Sequence, residues 1–327
     1  MSLTSELADP ASVISRFFAA NLPDADSLAA RLVRWTGHLR RPVRPPTRGE
    51  VPWAILGHTI DHRMRVTLGD PYGTPIKLGV ADVLQPWNAA ESEGTRAAVH
   101  AAGTELLAEL STHARPPFVL AGPEGERLIR LCFTASYFER IFREGTVLGP
   151  LLQADPGTTL QDLLDRVPDF ALADIGAQLR LAAEDEALGW TLGRAGANGP
   201  VFDGSVDVGG ADADFVYDGD LIDCKCTVRP DRLGVRELHQ LAGYLLLDYS
   251  DTFAIRQVGL YLSRQGAWIG WGVEEFLTCL GATAPLDRLR VQLADALGSK
   301  HSTAGRRIGG PRRPAPGVVL DASNSGD

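Results

Sequence analysis

The sequence contains no uninterrupted run of about 18 apolar residues, which argues against a membrane-spanning helix. Its first residues, Met-Ser-Leu-Thr-Ser-Glu-Leu-Ala-Asp, lack the basic and apolar stretches of a secretory signal, so the expected location is the cytoplasm. Cysteine is scarce. Cys132, Cys224, Cys226 and Cys279 are too scattered for a disulfide framework or a four-cysteine zinc site, and Cys224-Lys-Cys226 has the wrong spacing for a redox pair. Strand alternation points both of those sulfurs away from Asp223 and Lys225, which reads them as small core residues in a reducing compartment. Internal repeats are missing, and Asp203-Gly-Ser and Gly209-Gly210 lack the Gly-Lys-Ser/Thr that would complete a phosphate loop. No Ser/His/Asp triad can be argued from spacing. Positive charge is outweighed as well: 32 Lys and Arg against 41 Asp and Glu leave a net charge of −9, which speaks against a protein that coats nucleic acid by charge alone.

The chain does have material for a core. Its 327 residues, 44% of them hydrophobic, suffice for two ordinary domains or one large one with extensions. The arginines are unevenly spread: Arg31, Arg34, Arg40, Arg41, Arg44 and Arg48 form one group, and Arg306, Arg307, Arg312 and Arg313 lie in the tail. Each group reads either as a solvated surface or as a local phosphate-contacting arm on an acidic body.

Residues 1–165 read as a mostly helical region, with apolar residues at three- and four-residue spacing in 11–21, 25–38, 53–68, 93–112 and 125–143. Pro42, Pro45 and Pro46 separate the second segment from the third. A polar link at 154–159 ends this half. Residues 166–298 change character: a helix over about 169–188, a Gly-rich connection at 193–199, a strand–turn–strand, a helix at 235–247, strands at 257–263 and 267–273, and short helices near 274–281 and 285–298. That order predicts an α/β or α+β sheet flanked by helices. Residues 299–327 are rich in Gly, Pro, Ser and Arg and read as a disordered basic tail.

The chemistry concentrates in Asp214-Phe-Val-Tyr-Asp-Gly-Asp-Leu-Ile-Asp223-Cys-Lys225. Asp218-Gly219 predicts a two-residue hairpin loop, because both central positions need positive φ. Folding there places Phe215 opposite Ile222, Asp214 opposite Asp223, and Asp212 opposite Lys225. By alternation, Asp212, Asp214, Val216, Leu221, Asp223 and Lys225 then share one face, with Ala213, Phe215, Ile222 and Cys224 on the other, as expected for an interior pair. Facing carboxylates repel and are costly to desolvate. Either Lys225 and Asp212 form a structural ion network, or a divalent cation sits between Asp214 and Asp223; hard carboxylate oxygens suit Mg2+ or Mn2+. Such an ion polarises a phosphoryl oxygen and acidifies a bound water, and a lysine beside it orients that water or offsets developing charge. On the helix at 235–247, Arg236, Gln240 and Tyr244 make one polar stripe. It reads either as a solvated face or as contacts to phosphate, metal-bound water or a base.

In that order, Asp214, Asp223-Cys224-Lys225 and Gln240-Leu-Ala-Gly-Tyr244 resemble the PD-(D/E)xK nuclease superfamily, particularly its RecB-like and lambda-exonuclease-like branch with a Gln-x-x-x-Tyr motif. The resemblance covers residues 170–275. It implies a restriction-endonuclease-like mixed sheet flanked by helices, with Asp214, Asp223 and the Cys224 carbonyl as metal ligands, Lys225 assisting the attacking water, and Gln240 and Tyr244 approaching nucleic acid. The proline that names the superfamily is Ala213 here. Many members also carry an acidic residue on the preceding helix, for which Glu184 and Glu186 are the candidates. The expectation is a Mg2+- or Mn2+-dependent nuclease acting on DNA more readily than RNA. The alternative is a catalytically inactive nucleic-acid-binding or assembly module that retains the fold.

His58-Thr-Ile-Asp-His62 superficially resembles an inverted zinc-protease motif. Asp is shorter than the Glu that motif requires and no third ligand is evident, so both histidines read as structural, and Gly57 before them as a place where helices pack closely.

Overall fold

The computed structural model describes residues 2–70, 72–86, 92–184 and 196–298. Within them the chain is a mixed α/β structure built on a five-stranded sheet. The strands are β1 (Gly196–Asn198), β2 (Phe215–Tyr217), β3 (Asp220–Lys225), β4 (Gln257–Leu262) and β5 (Ala267–Gly272), and they lie in sequence order across the sheet. All neighbours run antiparallel except β3 and β4, which are parallel in the register Asp220↔Gln257 to Lys225↔Leu262. A parallel pair needs a crossover. Here it contains the helix Val235–Leu247, which follows the helices α1–α9 of the first part of the chain and is therefore α10.

Those nine helices are α1 (Leu3–Ala8), α2 (Val13–Asn21), α3 (Ala25–Thr36), α4 (Trp53–Thr67), α5 (Thr74–Asp82), α6 (Glu93–Ser111), α7 (Gly122–Glu144), α8 (Leu160–Asp165) and α9 (Asp169–Glu184). Two more, α11 (Val273–Cys279) and α12 (Leu286–Leu297), close the described chain. None of the described helices is long and apolar enough to cross a membrane. The helices read from periodicity are present to within a few residues. Three short ones, α1, α5 and α8, were not read. The polar link at 154–159 ends at Thr159, whose hydroxyl accepts from the Asp162 backbone N–H while Asp162 reaches back to the Thr159 N–H, a capping box that starts α8.

Alternation along the strands divides the apolar side chains between two cores. Phe215, Tyr217, Ile222 and Tyr261 pack with α4–α9, around Ile55, Leu56, Leu128, Phe133, Phe138 and Ile175. Val216, Leu221, Val258, Leu260 and Leu262 pack with α1–α3 and α10–α12, around Phe18, Leu28, Leu238, Leu245 and Phe276. The central strands are thus covered on both faces, as their double-sided apolar pattern predicts. Ala213, expected on the Phe215 side, instead joins the core of Val216.

Close packing is tightest where α5 crosses α7. A Cβ built on Gly79 would lie 1.8 Å from the Phe138 carbonyl oxygen, a backbone atom that cannot move aside. Gly79→Ala is therefore expected to lower stability by roughly 1–3 kcal/mol through a forced helix shift. Chemical denaturation would measure this, and an unchanged midpoint would rule out so close a crossing. Gly57 has no such role: its Cβ would meet Cys226 Cβ at 3.8 Å, an ordinary contact with the residue just after β3 rather than with a helix.

Candidate active site

The hairpin forms around Asp218 and Gly219 with φ of 48° and 83°, and it pairs Phe215↔Ile222, Val216↔Leu221 and Tyr217↔Asp220. Beyond Ile222, β3 is held by β4 instead of β2, and this extends it to Asp223 and Lys225. Asp214 stands just before β2, where its side chain takes over from the backbone ladder: Asp214 Oδ2 accepts from the Cys224 N–H at 2.7 Å. The two strands have separated by this point. Asp212 is exposed and bridges to Val201, so it does not face Lys225 as strict hairpin geometry predicts.

Lys225 is fixed from two sides. Its Nζ lies 2.6 Å from Asp223 Oδ2 and donates to Gln240 Oε1 at 2.9 Å. Gln240 Nε2 in turn donates to the Tyr244 hydroxyl at 2.7 Å. Tyr244 is 4% exposed, and its ring is stacked on Phe202 with centroids 5.8 Å apart. With one face against Phe202, it serves as a brace for Gln240 and Lys225. Cys224 and Cys226 pack against the core of α4–α9, as alternation predicts.

The opposite wall comes from α4 and α7. Ala54, His58, Asp61 and Arg65 follow one face of α4, and Glu139, Phe142 and Arg143 one face of α7. Arg65 Nε donates to Asp61 Oδ2 at 2.7 Å, and its Nη2 lies 3.6 Å from Asp214 Oδ1. Glu139 Oε2 lies 3.0 Å from His58 Nδ1 and 2.9 Å from His62 Nε2, while its Oε1 accepts from Arg143 Nε at 2.5 Å. The histidines thus meet a carboxylate from another helix, a partner absent from their own segment. Together with Asp214, Asp223, Lys225, Gln240 and Tyr244, these residues other than His62 line a cavity of about 480 Å3.

Glu139 has no signal in the sequence and Asp61 enters there only within His58-Thr-Ile-Asp-His62, although His58, Asp61 and Arg65 form a polar stripe on a helix whose Ile55, Leu56, Ile60 and Met64 are buried. Glu184 lies at the surface near Arg40 with its side chain 66% exposed, away from the cavity. Glu186 falls outside the described residues, as do the tail arginines and residues 193–195 of the Gly-rich connection, whose Gly196–Asn198 segment forms β1. Arg31, Arg34, Arg40, Arg41, Arg44 and Arg48 are all exposed, and none lines the cavity.

Burial dominates the electrostatics. It raises the Asp214 carboxyl to about 8, reinforced by the Asp61 and Asp223 carboxylates and opposed by Arg65 and Lys225. Burial likewise raises Asp223 against the pull of Lys225. For Lys225, burial acts downward but is outweighed by Asp223 and Asp214, so the ammonium is held more firmly than usual. Glu139 goes the other way: burial would raise it, but His62 and His58 hold it well below the ordinary carboxylate range.

The donor set fits a hard divalent cation. Asp214 and Asp223 present carboxylates into the cavity, and Asp61 Oδ1 is buried without a hydrogen-bond partner in the described structure. As they stand, no three His, Cys, Asp or Glu side chains among the described residues are arranged to hold a metal ion. Lys225 and Arg65 instead occupy the vicinity of Asp223 and Asp214. Cation binding must therefore displace the Asp214 proton and shift Arg65.

A pH dependence follows from the sign of the Asp214 shift. Its folded value, about 8, exceeds the ordinary 3.8, so the metal-free protein loses stability as pH rises between them and is level above. Asp214→Asn is expected to stabilise the metal-free protein at pH 8 by roughly 1–3 kcal/mol, the cost of an ill-compensated buried carboxylate. Any Mg2+ affinity of this site should rise by up to about tenfold per pH unit up to pH 8 and then level off. Calorimetric titrations at several pH values would test this, and a flat profile would contradict it.

No protein-family model, curated protein or solved structure matches this chain. The site accordingly stands on its geometry.

Proposed function

We propose that this chain is a divalent-metal-dependent nuclease of restriction-endonuclease-like architecture that hydrolyses phosphodiester bonds, in DNA more readily than RNA, within the cytoplasm. The observation that carries the reading is the linked set Tyr244–Gln240–Lys225–Asp223, lying with Asp214 in one cavity. A structural ion network would need only Lys225 and the acids. It would not call for a buried tyrosine and glutamine to aim the lysine into an open space.

Asp214 and Asp223 would hold Mg2+ or Mn2+, with the Cys224 carbonyl as a further ligand by resemblance. When bound, the ion supplies phosphoryl polarisation and a water of lowered pKa. Lys225 orients the attacking water and offsets negative charge developing on the phosphoryl oxygens. Gln240 fixes the direction of the Lys225 ammonium, and Tyr244 fixes Gln240. Arg65 is placed to receive a substrate phosphate once it leaves Asp214.

The test uses end-labelled DNA and RNA with Mg2+, Mn2+ or a chelator. Cleavage is expected with either metal, abolished by the chelator and by Asp223→Ala. Cleavage that survives both treatments would refute the assignment. Metal-independent binding without cleavage would instead favour a non-catalytic nucleic-acid-binding module.

A further inference from the structure

Tyr244, the aromatic residue that the motif would offer to a base, is almost fully buried against Phe202. The cavity nevertheless has an accessible ring. Phe142 is 42% exposed and, of the large exposed hydrophobic side chains among the described residues, it alone lines the cavity. No aromatic ring among the described residues stacks on it. Isolated surface hydrophobics are ordinary. This one adjoins Arg143, whose Nε is anchored to Glu139 and whose charge is also met by the exposed Asp212 at the same cavity. Glu139 is itself held by His58 and His62. An exposed ring beside an oriented guanidinium is the combination that grips a nucleotide, through base stacking and phosphate contact.

The shape of the cavity selects the strand type. Asp223 is 3% exposed, and about 480 Å3 is a volume typical of pockets that enclose small ligands. A strand end or an unpaired stretch can bring its phosphate that deep, whereas a double helix cannot enter. Building on the nuclease reading, we propose that Phe142 and Arg143 on α7 form a single-strand-binding wall, Phe142 stacking on a base next to the scissile phosphate and Arg143 holding a neighbouring phosphate.

The experiment measures binding apart from cleavage. Fluorescence anisotropy follows a labelled single-stranded oligonucleotide, its duplex, and a series carrying one abasic residue at successive positions. Ca2+ replaces Mg2+, and gels verify that the strands stay intact. Phe142→Ala is expected to weaken single-strand binding roughly tenfold or more, and Phe142→Trp to retain it. Abasic substitution at one or two positions should weaken binding to the unaltered protein but not to Phe142→Ala. Arg143→Gln should reduce the slope of affinity against salt by about one phosphate contact. Unchanged binding by Phe142→Ala, duplex bound as tightly as single strand, or no single-strand binding at all would overturn the proposal. Cleavage in Mg2+ without dependence on Phe142 would sink this inference and leave the nuclease reading intact. Phe142-dependent binding without cleavage would do the reverse.

Discussion

Lys225→Ala is expected to lower kcat by about a thousandfold while changing KM only severalfold, since in the proposed reaction its ammonium acts on the attacking water and on developing charge. Lys225→Arg should not restore the rate, because a planar guanidinium cannot take the place of a point charge held between Asp223 and Gln240. The brace behind the lysine should show a graded effect. Tyr244→Phe keeps the ring on Phe202 but removes the hydroxyl that accepts from Gln240, freeing the amide to turn. A loss of about tenfold in kcat with normal stability is expected, in line with a positioning role. Steady-state kinetics with thermal melts on the same samples separate the two effects. Equal losses in kcat and in stability for Tyr244→Phe would show that it supports the core and does not aim the lysine.

The largest effect on stability is expected at Asp174. Its carboxylate accepts from both terminal nitrogens of Arg264, at 2.7 and 2.9 Å, and neither side chain is exposed. Arg264 also donates to the Val43 carbonyl at 3.0 Å and lies over the Trp53 ring, with Cζ 5.2 Å from its centroid. Gln178 donates to Asp174 and accepts from Ser263, and Cys226 lies beside it. One network thus ties α9, the segment before α4 and the ends of β3 and β4 together. Removing one partner strands the other's charge in the interior, so Asp174→Ala should cost about 3–5 kcal/mol. Replacing both Asp174 and Arg264 by leucine should cost less than either single change, because no unpaired charge remains. Urea denaturation of the three variants decides it; additive losses would contradict the argument.

The parts of this structure that could be read from the sequence are those governed by local periodicity. Asp218-Gly219 announced its loop because few dipeptides accept two positive φ values, and the register followed from the period of two. The helix Val235–Leu247 stood out because its apolar positions repeat around the stripe of Arg236, Gln240 and Tyr244. Lys225 also belongs to a sparse set: Lys77, Lys225 and Lys300 are the only lysines in the chain. What escaped the reading depends on tertiary packing. Nothing local says that α4 and α7 lie across the cavity from β3, so Asp61 and Glu139 had no visible partners. Asp212 lies at the same cavity but not opposite Lys225, because the hairpin rule assumes a continuing ladder, whereas β2 begins only at Phe215 and Asp212 bridges to Val201. Tyr244 is polar enough to read as a surface residue, and only the ring of Phe202 shows why it is inside.

The two walls of the cavity come from opposite ends of the described chain: Asp61, Arg65, Glu139 and Phe142 precede residue 184, and Asp214, Asp223, Lys225 and Gln240 follow residue 196. A polypeptide divided between them would put most of one wall on each piece, with Ser2, Leu3 and Thr4 of the first reaching the second wall. Neither piece alone would enclose the cavity, so recovery of the proposed cleavage would signal their reassociation, giving the molecule the makings of a split reporter.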